Sequence, residues 1–167
     1  MESTEILFQE RQRFKQLWIW LLLISIFMVP LVMDLQGYIA LVKSGEYGAA
    51  YTTQIVAMVV VVFMVSCRVD TVVYKDRICY RFYPLQISYR EIKAEEIAKA
   101  FIRKYNAIME YGGWGMRLGL FGRGPAINAS GDMGLQLELK NGDRLLIGTQ
   151  KWKALGEVIE KIGVVAK

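Results

Sequence analysis

Histidine is missing altogether from this sequence of 167 residues, and cysteine occurs only twice, at Cys67 and Cys79. Without an imidazole there is no Ser-His-Asp or Cys-His catalysis, no His-rich zinc site and no imidazole pH switch. Two cysteines are too few for a Cys₄ metal site or a disulfide scaffold. Charge is missing from two long stretches, residues 16–33 between Lys15 and Asp34 and residues 47–67 between Glu46 and Arg68. At 54% hydrophobic residues the chain is too apolar for intrinsic disorder. These absences leave a membrane protein or an unusually apolar soluble domain.

The two uncharged runs hold 18 and 21 residues, and a helix needs about 20 to cross a bilayer. Trp18, Trp20 and Tyr47 stand near the expected interfaces. Each run alone could also be a buried core helix; together they predict a transmembrane hairpin. A cleaved signal peptide fits less well, because no small-x-small site follows the first run. Arg11, Arg13 and Lys15 precede the first span, and Arg68, Lys75, Arg77 and Arg81 follow the second. The connecting stretch holds only Lys43. Lys/Arg bias therefore predicts an inner-membrane, multi-pass protein with both termini cytoplasmic and reduced thiols. Neither span carries an ionisable residue, which favours an anchor over a transport pathway.

The expected organisation is a cytoplasmic N-terminal segment at 1–15, spans at 16–33 and 47–67, an external loop at 34–46 and a cytoplasmic domain at 68–167. Residues 3–16 could lie along the inner surface as an amphipathic helix or extend the first span. The sequence leaves both readings open.

The last hundred residues carry 17 Lys and Arg against 11 Asp and Glu. They read as short strands at 69–74 and 78–83, with a strand favoured over a helix at 97–105. Leu135, Leu137 and Leu139 alternate with polar neighbours, predicting a half-buried strand. Asn141-Gly142 suits a two-residue hairpin, and 144–148 returns as the partner. Thr149 suits an N-cap for a helix whose apolar face holds Trp152, Leu155, Val158, Ile159 and Ile162, ending at Gly163.

The series Arg11-Gln-Arg-Phe-Lys-Gln-Leu-Trp-Ile-Trp20, Tyr111-Gly-Gly-Trp-Gly-Met-Arg117, Ser130-Gly-Asp-Met-Gly-Leu-Gln-Leu-Glu-Leu-Lys-Asn-Gly142 and Ile147-Gly-Thr-Gln-Lys151 resembles small bacterial membrane proteins with a pleckstrin-homology-like domain. The resemblance covers most of the chain. It implies an α+β membrane protein in which a transmembrane hairpin precedes an antiparallel β-barrel or sandwich closed by a C-terminal helix. It implies no activity.

Gly112-Gly-Trp-Gly115 and Gly119-Leu-Phe-Gly-Arg-Gly124 fail as phosphate loops, because no strand-to-helix context surrounds them. They read as tight turns, or as a recognition loop presenting Trp114, Arg117, Phe121 and Arg123 to a protein partner. Arg68, Lys75, Arg77 and Arg81 either enforce topology or meet an anionic lipid surface. The basic residues are scattered, so nucleic acid is not expected. Glu95-Glu96, Cys79 and Asp132 read as a solvated face, a packed thiol and a turn, so no catalytic set, metal or cofactor is expected. The resulting expectation is a membrane-anchored, non-catalytic binding and assembly module whose partners are the lipid bilayer and a protein or a second copy. An anionic-lipid sensor is the alternative, and an unrecognised enzyme the third.

Overall fold

The computed structural model describes residues 5–33, 35–45, 47–119 and 123–163. The chain divides into two compact units, residues 15–66 and a second unit built from 1–14 together with 67–167.

The first unit is helical: α1 (Leu17–Met33), α2 (Leu35–Lys43) and α3 (Tyr47–Ser66). Leu23 and Ala57 are buried within it, whereas Leu21, Ile24, Val32, Val56, Met58, Val59 and Val62 are exposed. Ser25 and Ser66 donate their hydroxyls back to the carbonyls of Leu22 and Val62, so these polar groups are satisfied inside their own helices.

The expected transmembrane hairpin is corrected here. Among the described residues, no helix is long and apolar enough to cross a membrane. Helix α1 has 17 residues, short of the about 20 that span a bilayer. Helix α3 has 20, but Tyr47, Gly48, Tyr51, Thr52, Thr53 and Gln54 dilute its first part, leaving 55–65 as its densely apolar stretch. The stretch expected as an external loop carries α2 instead. An α+β membrane protein, the transmembrane keywords and a multi-pass inner-membrane location are therefore not supported. What the structure has is a mixed α+β fold with two sheets and a C-terminal helix.

The first sheet orders β1 (Ile6–Arg13), β2 (Arg68–Tyr74), β3 (Arg77–Tyr83) and β4 (Arg90–Lys93), each antiparallel to the next. Residues 6–13, expected as a surface helix or a helical extension, form its first strand. Phe8, Glu10 and Gln12 point inward while Gln9, Arg11 and Arg13 are exposed, the alternation a half-buried strand requires. A 3₁₀ turn at Ala94–Glu96 leads to β5 (Ile97–Lys104), α4 (Ala107–Tyr111), β6 (Gly115–Arg117), β7 (Ala126–Asn128), β8 (Met133–Leu139), β9 (Arg144–Gly148) and α5 (Trp152–Ile162). The second sheet runs β5-β8-β9-β7-β6 and is antiparallel except for the β7–β9 pair, which is parallel. Val69, Val73, Ala100, Leu135, Leu137, Ile147, Leu155 and Ile159 are buried to 2% or less exposure and form the centre of the core.

The hairpin between β8 and β9 closes with the Leu139 N–H donating to the Asp143 carbonyl at 2.8 Å, so its loop is the three residues 140–142 and not the expected two, with Gly142 at φ +90°. The Asn141 amide side chain accepts from the Asp143 N–H at 2.9 Å. Helix α5 starts two residues later than expected. Lys151 is its N-cap, because the Thr149 hydroxyl is committed to Glu10 and to the Lys151 N–H. Gly163 ends the helix in the left-handed conformation at φ +76°.

Candidate functional site

Two of the three inward residues of β1 are polar, and they reach partners across the core. Glu10 accepts the Thr149 hydroxyl at 2.6 Å and the Gln150 N–H at 2.9 Å. Gln12 donates its side-chain amide to the Gly148 carbonyl. These contacts fix β1 in register against β2, and register decides which side chains share the outer face.

On that face, Arg11, Asp70 and Arg81 stand opposite one another on three adjacent strands. Arg13, Arg68 and Tyr83 form the next row. The Asp70 side chain, 4% exposed, accepts from Arg81 Nε at 2.8 Å, Arg11 Nε at 3.0 Å and Arg68 Nε at 3.2 Å. Burial alone would raise the Asp70 carboxyl. Hydrogen bonds and charge from Arg81 and Arg68 outweigh it and hold the group below the usual aspartate range. Arg81 also donates to the Ile87 carbonyl at 3.0 Å and lies 4.4 Å from the Tyr89 ring centre. Arg68 covers Tyr83 at 4.5 Å. Three guanidiniums thus share one carboxylate, are braced by two tyrosines, and leave a surplus of positive charge at the sheet surface.

Of the residues expected at a lipid surface, the fold brings Arg68 and Arg81 together. Arg77 sits at the other end of β3, about 13 Å from Arg81 along the strand. It is paired with Asp76 at 3.2 Å and Glu91 at 3.9 Å and stacked over Tyr74 at 4.7 Å. Lys75 is exposed in the β2–β3 turn. Sequence reasoning missed Arg11 as a site residue and Asp70 altogether. The alternation of Arg11-x-Arg13 was the available signal, concealed by the polar residues on the opposite face of the same strand.

The expected protein-contact residues are placed differently. Trp114 is half-buried and packs on the cluster of Tyr105, Ala107, Tyr111, Ala126 and Leu146. Arg117 folds back to donate to the Trp114 carbonyl at 3.0 Å. Arg123 binds Glu110 at 2.7 Å, and Arg103 binds the same carboxylate at 2.8 Å. Glu110 is raised by burial but lowered further by the Asn106 N–H and the two arginines, so its net shift is downward. Phe121 lies outside the described residues. Trp114, Arg117 and Arg123 therefore have intramolecular partners in and just after α4, while Arg117 and Arg123 stay exposed.

Both cysteines are free and buried, and burial pushes their thiols up. Among the described residues no cluster of His, Cys, Asp and Glu could hold a metal ion. An arginine cluster centred on a buried carboxylate is suited to binding anions; guanidinium holds its proton near neutral pH and offers no acid–base chemistry.

Compared with family profiles, curated proteins and solved structures, the chain matches none.

Proposed function

We propose that this chain is a non-catalytic binding module that meets an anionic surface through the outer face of its first sheet. The observation that supports the reading is the shared engagement of Asp70 by Arg11, Arg68 and Arg81, which pre-positions three guanidiniums in one patch. Arg13 adds a further exposed cation on the same face. The partner chemistry that fits is a layer of phosphate-bearing lipid headgroups, each nearby Lys or Arg contributing about 1 kcal/mol.

The test compares sedimentation of the full chain with vesicles of phosphatidylcholine alone and vesicles enriched in phosphatidylglycerol, at low and high salt. Apolar adsorption is common to both compositions; the charge-dependent increment is the readout. Arg11→Gln and Arg13→Gln, both at exposed positions, are each expected to weaken that increment by about fivefold. High salt is expected to suppress it. Binding indifferent to lipid charge, salt and both substitutions overturns the reading.

A second reading, self-assembly, is favoured by the aliphatic exterior of the helical unit. An exposed apolar surface of that kind calls for a partner. Crosslinking with mass measurement of the purified chain tests it; a strictly monomeric chain at all concentrations rejects it.

A further inference from the structure

Strand β5 is the terminal strand of the second sheet and, among the described residues, pairs with β8 alone. A cavity of about 540 Å³ lies along it, walled on the other side by α5. Its strand wall is Ala100, Phe101 and Ile102 of β5 with Met133 of β8. Met133 pairs with Lys104, which shares a face with Ala100 and Ile102, so the cavity lies on the sheet face toward α5. Phe101 lines it as well, so it also reaches the backbone of β5, the terminal strand. The helical wall presents Trp152, Gly156 and, toward the C-terminal end, the exposed pair Glu157 and Glu160. A Cβ on Gly156 would meet the Ile102 side chain at 3.5 Å, so the glycine deepens the groove where helix and strand come nearest. Lys153, the one cation of this wall, lies 5.3 Å from the Trp152 ring centre, leaving the two glutamates as the acidic end.

We propose that this groove takes an extended peptide segment that adds as a further strand to the β5 edge. It places an apolar side chain between Trp152 and Gly156 and a Lys or Arg opposite Glu157 and Glu160. The open backbone edge selects an extended main chain, the apolar walls select an anchor residue, and the two carboxylates select its basic neighbour. The site is separate from the arginine face of the first sheet and does not depend on it.

The test selects from a displayed pool of random peptides, each about six residues long, the usual length of a strand, with the full chain as bait. The strongest binder is then synthesised plain and with alternate backbone nitrogens methylated. The expected outcome is enrichment of peptides combining an apolar residue with Lys or Arg. Methylation or Gly156→Leu is expected to lower affinity by about tenfold or more, as loss of one or two strand hydrogen bonds or of the anchor pocket requires. Bound peptide is expected to slow amide exchange at 101–103. Glu157→Lys with Glu160→Lys, at exposed positions that leave the core intact, is expected to turn the selection toward acidic peptides. No enrichment, or binders insensitive to methylation and to every one of these substitutions, overturns the proposal. Slowed exchange at 101–103 that grows with protein concentration in the absence of peptide overturns it in favour of a second copy of this chain.

Discussion

Thr149 donates its hydroxyl to the Glu10 carboxylate at 2.6 Å, joining the first strand of the chain to the residue that follows its last strand, 139 positions away. Glu10 is only 5% exposed, and it also takes the Gln150 N–H. A buried carboxylate satisfied by two donors is a fixed point of the fold.

Glu10→Ala therefore leaves the buried Thr149 hydroxyl without its acceptor and removes the partner of the Gln150 N–H at the exposed start of the next turn. The expected cost is about 1–3 kcal/mol, mainly from the buried hydroxyl left unsatisfied. Denaturant unfolding checks it, and a change near zero would mean that β1 is held by backbone pairing alone.

Asp70→Asn weakens the charge-assisted bonds to three arginines at once, and a loss of about 2 kcal/mol is expected near neutral pH. The folded carboxyl titrates below its unfolded value, so its contribution to stability is present above the unfolded pKa of about 3.9 and is lost as pH falls through the folded value. The stability difference between wild type and Asp70→Asn is expected to shrink on acidification below that point. A difference that stays constant down to strong acid rejects the assignment.

Burial pushes the Tyr105 hydroxyl up to about 12, the Asn128 side chain only partly opposing it. A raised folded pKa gives stability that is complete below the unfolded value of about 10 and is lost as pH rises toward 12. Tyr105→Phe is expected to flatten the alkaline fall in stability. Spectroscopic titration of the tyrosines should find one late-ionising phenol that the substitution removes.

Gly148 lies in β9 where a Cβ would stand 2.8 Å from the Asn128 Cβ and 3.1 Å from the Tyr105 hydroxyl. Gly148→Ala forces a backbone or side-chain shift in a filled core, and a loss of about 1–3 kcal/mol is expected. Asn128→Ala leaves its own Cβ in place and is not expected to rescue it. Melting temperatures of the two single variants and the double variant settle the point.

Trp114→Ala is expected to lower stability by about 2 kcal/mol, less than for a fully buried tryptophan, through lost packing on Tyr105 and Tyr111. A variant with unchanged melting but impaired partner binding would make Trp114 a contact residue and not a packing one.

The strands from 133 to 148 and α5 were legible in position: Leu135 and Leu137 are fully buried, the chain turns at Asn141-Gly142, and Leu155 and Ile159 lie on the inner stripe of α5. The expected half-buried alternation is incomplete, because Gln136 is also buried, donating to the Leu145 carbonyl and accepting from Arg103. Strand β1 was not, because two of its three inward residues, Glu10 and Gln12, are polar and find partners only in residues 148–150. Hydropathy counts such positions as surface. The short helix α4 was hidden for a related reason: Asn106 caps it through the Ile108 and Met109 N–H groups, and five residues leave no periodicity to read. Arg68 and Arg81 were singled out by proximity to an apolar run. The partner that organises them, Asp70, looked like any strand residue until register put it between them. The two uncharged runs promised spans because absence of charge was read as continuity of helix; α1 stops at 17 residues and α3 begins among threonines and tyrosines.

The Arg11–Asp70 ion pair bridges 59 positions, and the whole helical unit lies between its ends. During synthesis the first strand emerges with its inward glutamate and glutamine lacking every partner they have in the finished domain. It must wait while residues 15–66 are made, and its neighbour β2 arrives only after them. The second unit therefore cannot complete itself from either end of the chain. Non-local pairings of this kind slow folding, and the arginine patch is assembled only once β1 has paired with β2.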